Sequence, residues 1–153
     1  MDAKTEELRA AHDVLAEFYA DRLANALAHM PAERAVLDLF CDLTIGADLG
    51  TSVADVGCGT RRLEPYLAAR GLSPRGIDLS PEMIRVARRD HPDFGFDVAD
   101  LRELPFEDAS LAGAVCWYSL KAGDNQVRRG AAAPTLVSNS TSTGCLPTRW
   151  SAG

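Results

Sequence analysis

The chain has 153 residues, 46% of them hydrophobic and 25% charged, with a formal net charge of -6. That length supports one domain with a buried core, and the composition is ordinary for a globular protein. The acidic balance argues against a general nucleic-acid binder, which needs clustered Lys and Arg against phosphates, and no apolar run approaches the roughly 18–20 residues of a membrane helix.

The opening M-D-A-K-T-E-E is too acidic for a secretory signal, which predicts a cytoplasmic protein. From Glu6 to Met30, Leu8, Ala11, Leu15, Phe18 and Leu23 recur at helical steps and predict a helix with one apolar face. Pro31 suits the first turn of a second helix, with Val36, Leu37, Phe40 and Leu43 on its apolar face and Gly46 as its stop. Both helices are expected to cover a face or edge of a sheet, contributing packing and not chemistry.

Ser52 to Arg62 reads S-V-A-D-V-G-C-G-T-R-R. Val53, Ala54 and Val56 form a short apolar run that ends at Gly57 and Gly59. Leu63, Tyr66, Leu67 and Arg70 then follow at helical spacing, with Gly71 as a stop. A buried parallel strand, a tight turn and a helix opening toward a ligand have this grammar. Asp55 discriminates between ligands: a carboxylate there suits an ammonium group and would repel a pyrophosphate.

Arg75 to Asp78 predicts a second strand, and Asp78 lies nineteen residues after Gly59, close to the interval at which a carboxylate reads ribose hydroxyls. Ser80 is a helix N-cap, followed by Pro81 and Glu82. Met83, Ile84 and Ala87 then face inward, and Arg88 and Arg89 suit the C-terminal turn. Phe94 to Val98 predicts a third strand, Asp100-Leu101 a loop, and Leu111 to Ser119 a fourth, central strand. The alternation predicts an α/β protein with an open parallel sheet, right-handed crossovers and flanking helices. Its ligand would lie across the C-terminal strand ends, where residues 55–59, 78–80, 100–101 and 116–119 gather.

Asp55-Val56-Gly57-Cys58-Gly59 resembles the first motif of the class I S-adenosylmethionine-dependent methyltransferases, an acid followed by alternate glycines. The resemblance implies a Rossmann-like fold, S-adenosyl-L-methionine as cofactor and a small-molecule acceptor. It also implies roles: Gly57, Cys58 and Gly59 cradle the methionine moiety, Asp55 turns toward its ammonium, and Asp78 accepts from both ribose hydroxyls. Met83 or Leu79 would pack on the adenine, Asp100 and Leu101 would read its edge, and Trp117 would border the methionine. His12-Asp13 with Tyr19 resembles a Tyr-Asp…Tyr pattern that precedes this family's first helix, so Tyr19 would help close the site. The plainer reading of Tyr19 is a half-buried ring on an amphipathic helix.

No catalytic side chain is named, because methyl transfer from a sulfonium needs chiefly alignment. Arg61 stands where the family pattern has its third glycine; weakened cofactor binding is the favoured expectation, the alternatives being that it swings out to solvent or grips the methionine carboxylate as a fixed cation. A nicotinamide-dependent oxidoreductase is the less favoured alternative, since Arg62 replaces the last glycine of G-x-G-x-x-G and Asp55 has the wrong charge. Cys41, Cys58, Cys116 and Cys145 form no C-x-x-C pair, and with the scattered His12, His29 and His91 they predict neither a metal site nor a disulfide framework.

Past Leu120 the character changes. Lys121, Arg128, Arg129 and Arg149 stand against Asp124 alone, and V-S-N-S-T-S-T-G-C has no helical or strand period. The sequence therefore divides into an N-terminal helical segment (1–50), a cofactor-binding half (51–120) and a tail (121–153) expected to be disordered or out of frame. On this reading the sheet is incomplete, with about four of the family's seven strands, and truncation or a frameshift leaves the fourth strand as an exposed edge prone to self-association. A fragment without turnover, acting as an interaction module through its helices or that edge, is the second alternative.

Overall fold

The computed structural model describes residues 2–60, 63–117, 135–139 and 146–149. Helix α1 spans Ala3–Leu23 and is capped by Asp2, whose carboxylate accepts from the Thr5 N–H at 2.9 Å. It stops short of the expected Met30, giving way to a 3-10 turn, Ala26–His29, before α2, Pro31–Gly46, begins on its proline. Strand β1, Ser52–Val56, leads through the glycine loop to α3, Glu64–Ala68, and β2, Ser73–Asp78. Helix α4, Pro81–Asp90, starts on the Ser80 cap, with the Met83 N–H donating to Ser80 Oγ at 3.1 Å. Strands β3, Gly95–Val98, and β4, Gly113–Trp117, follow, then β5, Thr135–Asn139, and β6, Leu146–Arg149.

The strands form one sheet in the order β3-β2-β1-β4-β5-β6, parallel from β3 to β5 with β6 antiparallel at one edge. The chain runs outward from β1 to β3, crosses back to β4 and continues the other way, so the strand order reverses between β1 and β4. A reversal of this kind opens a crevice at the C-terminal strand ends.

The α/β class and the four predicted parallel strands are present as expected, but the sheet does not end with them. Strands β5 and β6 lie within the segment read as a disordered or out-of-frame tail and bring the sheet to six strands. Nor is β4 an edge: β1 pairs with one side and β5 with the other, in the register Ala114↔Leu136 to Trp117↔Asn139. The physical reason is that a buried strand presents a row of backbone donors and acceptors that pairs with any extended segment, whatever that segment's side-chain period.

Helices α2 and α3 cover one face of β1 and β4, where Leu37, Phe40, Cys41, Val53, Leu63, Leu67, Leu72, Val115 and Trp117 form the largest buried cluster. Phe40, Leu37 and Leu67 are wholly inaccessible, each burial worth about 1.5–3 kcal/mol. The approach of α2 to the sheet is close: a Cβ added at Gly113 would sit 2.8 Å from Phe40 Cζ and 3.1 Å from Thr44 Oγ1. The alternate residues Ala54, Val56 and Cys116 pack under the loop residues Leu101, Leu104, Phe106 and Leu111.

Helix α1 docks on α4, but not through the stripe its periodicity suggested. Leu8, Leu15 and Phe18 remain 38–54% exposed, while Ala16, Tyr19 and Ala20 meet Met83 and Val86. Ala16 and Ala20 are small enough to leave room for Tyr19, Met83 and Val86 in the seam, and Leu8, Leu15 and Phe18 lie outside it.

Candidate functional site

The site grows from the ends of β1 and β2. The Gly57 and Cys58 N–H groups both donate to the Ile77 carbonyl, at 2.7 and 2.9 Å, which ties the loop across to β2. Gly57 and Gly59 adopt φ of 81° and 58°, the left-handed region that side chains avoid. Among the described residues a Cβ built on Gly59 would meet nothing within 4 Å, so its requirement is conformational.

Asp78 closes this loop onto α4. Its Oδ2 accepts from the Gly59 N–H and its Oδ1 from the Ser80 N–H, both at 2.9 Å. Burial pushes its carboxyl above the usual range, while these backbone donors and the nearby His12 pull the other way. A carboxylate held between two fixed N–H groups is immobilised before any ligand arrives.

Asp55 is 1% exposed, between Gly76 of β2 and Val115 of β4 in the register. Glu64, wholly buried, places Oε1 only 2.5 Å from where a Gly76 Cβ would stand. Burial drives the Cys58 thiol well above its ordinary range, and the carboxylates of Glu64, Asp55 and Asp78 push in the same direction. Cys58 is thus an inert thiol, buried beside three carboxylates.

The remaining candidates are distributed around this centre. Leu79 is half-buried between Asp78 and Ser80. Asp100 joins the group because the Ala99 N–H donates to the Asp78 carbonyl at 3.0 Å, bringing the β3 end beside β2. Its carboxylate accepts from the Arg102 side chain and N–H, which holds its carboxyl below the usual range. Leu101 is half-buried against the cluster of Ala54, Val56 and Cys116.

Met83 is 3% exposed in the α1–α4 seam, where Tyr19 packs against the same cluster. Trp117 stands at the β4 end, buried among the α2 and α3 core residues, with its indole N–H donating to Glu33 Oε2 at 2.9 Å. The loop glycines, Asp55, Asp78 and Leu79 are therefore brought together, Asp100 adjoins them, and Met83 and Trp117 turn into the packing. Arg61 and Arg62 lie outside the described residues, as do Ser119 and Leu120.

Two neighbours carry more of the site than the motifs suggested. Ser80 has no exposed surface, and its hydroxyl donates to Asp13 Oδ1 at 2.5 Å. Asp13 was visible in the His12-Asp13 pair, but its partner is 67 residues away and no local pattern encodes that contact. Among the described residues no group of three or more His, Cys, Asp or Glu could hold a metal ion, and no helix is long and apolar enough to cross a membrane.

Comparison with known proteins places this geometry. The model of a methyltransferase domain matches residues 53–134, more than half of the chain and fourteen residues past the point where the motif pattern stops. A demethylmenaquinone methyltransferase from Renibacterium salmoninarum is 33% identical over 122 residues, which are 79% of this chain and 50% of that protein. A ubiquinone biosynthesis O-methyltransferase from Xylella fastidiosa is 44% identical over 59 residues, 39% of this chain and 24% of that one. The chain spans half the length of the former and about a quarter of the latter.

Among solved structures, a TehB-like SAM-dependent methyltransferase from Corynebacterium glutamicum superposes with a TM-score of 0.51 at 29% identity, covering 70% of this chain and 55% of that one. A magnesium protoporphyrin IX methyltransferase from Synechocystis PCC 6803, crystallised with bound SAM, gives a TM-score of 0.65 over 90% of this chain and 76% of its own, at 17% identity, a likeness of fold alone.

Proposed function

This chain belongs to the methyltransferase-domain family, within the class I S-adenosylmethionine-dependent methyltransferases, and from that premise we propose that its strand-end site binds S-adenosyl-L-methionine and serves methyl transfer to a small-molecule acceptor. The observation that carries the reading is the Asp78 carboxylate, fixed by Gly59 and Ser80 beside a loop of two positive-φ glycines. The donor set fits the cofactor's chemistry: the carboxylates of Asp55 and Asp78 at the strand ends suit an ammonium and a ribose diol, and the positive-φ glycines let the loop backbone approach a ligand.

In this reading Asp78 accepts from the ribose hydroxyls, and the Gly57–Gly59 backbone lines the methionine moiety. Asp55 supplies negative charge beneath its ammonium, while Leu79 and Leu101 flank the adenine with Asp100 at its edge. Met83 and Tyr19 support the adenine side from the α1–α4 seam, and Trp117 braces the β4 end. When bound, S-adenosylmethionine supplies a sulfonium methyl as the electrophile. The side chains named here bind and align, and such alignment can contribute most of the acceleration in a displacement of this kind. Similarity to quinone-pathway methyltransferases makes a small aromatic acceptor the first class to screen. The compartment expected for this activity is the cytoplasm.

Calorimetric titration with S-adenosylhomocysteine, with NAD as the control, tests the reading. Micromolar binding, about −8 kcal/mol, to the homocysteine ligand and none to NAD is expected; a folded chain that binds neither, or prefers NAD, refutes it.

A further inference from the structure

Asp13 occupies a position that the cofactor reading above leaves unused. Its Oδ1 accepts from the Ser80 hydroxyl at 2.5 Å and from the Glu82 N–H at 3.3 Å, and its Oδ2 pairs with Arg9 at 2.6 Å. Ser80 passes the connection on: its Oγ accepts from the Met83 N–H, and its own N–H donates to Asp78 Oδ1. Asp78 Oδ2 in turn accepts from Gly59. One continuous run of hydrogen bonds thus joins the N-terminal helix to the glycine loop, through a serine with no exposed surface.

We propose that Asp13 is a positioning residue for the cofactor site, holding Ser80, and through it the Asp78 carboxylate, in the geometry that accepts the ribose. The proposal rests on the cofactor reading. A serine hydroxyl has one proton to give. With Asp13 taking it, the Ser80 lone pairs stay directed at the Met83 N–H and the α4 N-terminus keeps a single conformation. Without Asp13 the buried hydroxyl must turn to another acceptor, and Asp78 is the acceptor already in contact with the same residue. The ribose would then meet a carboxylate whose lone pairs are partly engaged.

The seam of Ala16, Tyr19, Ala20, Met83 and Val86, together with the Glu17 pairs to Arg85 and Arg89, keeps α1 docked independently of Asp13. Removing the carboxylate therefore disturbs the relay more than the docking.

The experiment is calorimetric titration of the full chain with S-adenosylhomocysteine and with adenosine, for wild type, Asp13→Ala, Asp13→Asn, Ser80→Ala and the Asp13→Ala/Ser80→Ala double variant. Asp13→Ala is expected to weaken both ligands by about tenfold. Asp13→Asn, which keeps an acceptor for Ser80, is expected to recover most of that loss. The double variant is expected to bind no worse than the weaker single variant, since both act on one link. Amide exchange at Gly59 and Met83 in the ligand-free protein should quicken in Asp13→Ala, a readout independent of binding.

A wild type that binds S-adenosylhomocysteine while Asp13→Ala binds within about twofold of it overturns the role of Asp13 alone. Losses that multiply in the double variant overturn it equally. A wild type that binds neither ligand overturns the cofactor reading itself and this inference with it. If Asp13→Ala does not fold, the Asp13→Asn and Ser80→Ala pair decides by the same criterion. Near-wild-type binding by Asp13→Asn beside weakened binding by Ser80→Ala supports the relay, and two unaffected variants sink it.

Discussion

Replacing Asp78 by Asn tests the centre of the site with almost no change of shape. The carboxylate accepts from Gly59 with one oxygen and from Ser80 with the other. Asn has one acceptor oxygen, and its NH2 then faces an N–H donor on the other side. For ligand binding, a bond to a charged acceptor is worth about 1.5–3 kcal/mol. On the proposed assignment of Asp78 to the ribose, losing one acceptor should therefore weaken S-adenosylhomocysteine by about 10- to 150-fold.

Stability should respond differently. Burial raises the Asp78 carboxyl, so the native state holds its proton more tightly than the unfolded chain does. The stability this confers is fully present below the unfolded carboxylate's pKa of about 3.9 and is lost as pH rises through the raised folded value. Asn does not titrate, so the melting temperature of Asp78→Asn should gain on wild type as pH rises from about 4 through the native titration of Asp78. Titration calorimetry and melting curves at several pH values measure both effects. Binding within about twofold of wild type, in a variant that melts cooperatively, would refute the assignment of Asp78 to the ribose.

Other outcomes follow from the same packing. Gly113→Ala drives a methyl to within 2.8 Å of the wholly buried Phe40 ring, and overpacking of this kind costs about 1–3 kcal/mol. A fall in melting temperature of roughly 3–9 °C should result, read by circular dichroism, and an unchanged or raised midpoint would contradict the close α2–β4 approach. Cys58, buried and raised by its carboxylate neighbours, should resist alkylation at pH 8 in the native protein and react on unfolding, as peptide mapping after iodoacetamide would show. Prompt native-state labelling of Cys58 would mean that the glycine loop opens far more than its ties to Ile77 allow.

Much of the site is legible in the amino-acid sequence because its signals are local. Positive-φ glycines must be written as glycine, an N-cap must be Ser or a close equivalent, and both obey fixed spacings from the strands beside them. Gly57, Gly59, Asp78 and Ser80 can be read on those grounds, and the order strand, helix, strand dictates the parallel pairing of β1 with β2.

The contacts the tertiary structure decided are those made between distant segments. Helical periodicity marked Leu8, Leu15 and Phe18 as the inner face of α1, yet α4 meets Ala16, Tyr19 and Ala20 instead. Pairing of β5 with β4 depends on backbone groups that every sequence carries, so no side-chain pattern announced it. The bond from Asp13 to Ser80 crosses 67 residues, and only the fold could bring that carboxylate to that hydroxyl. The sequence by itself determined the local conformations and the chemical character of the loop; which surfaces meet was decided by shape and backbone pairing, because those forces act across space and leave no mark at fixed intervals along the chain.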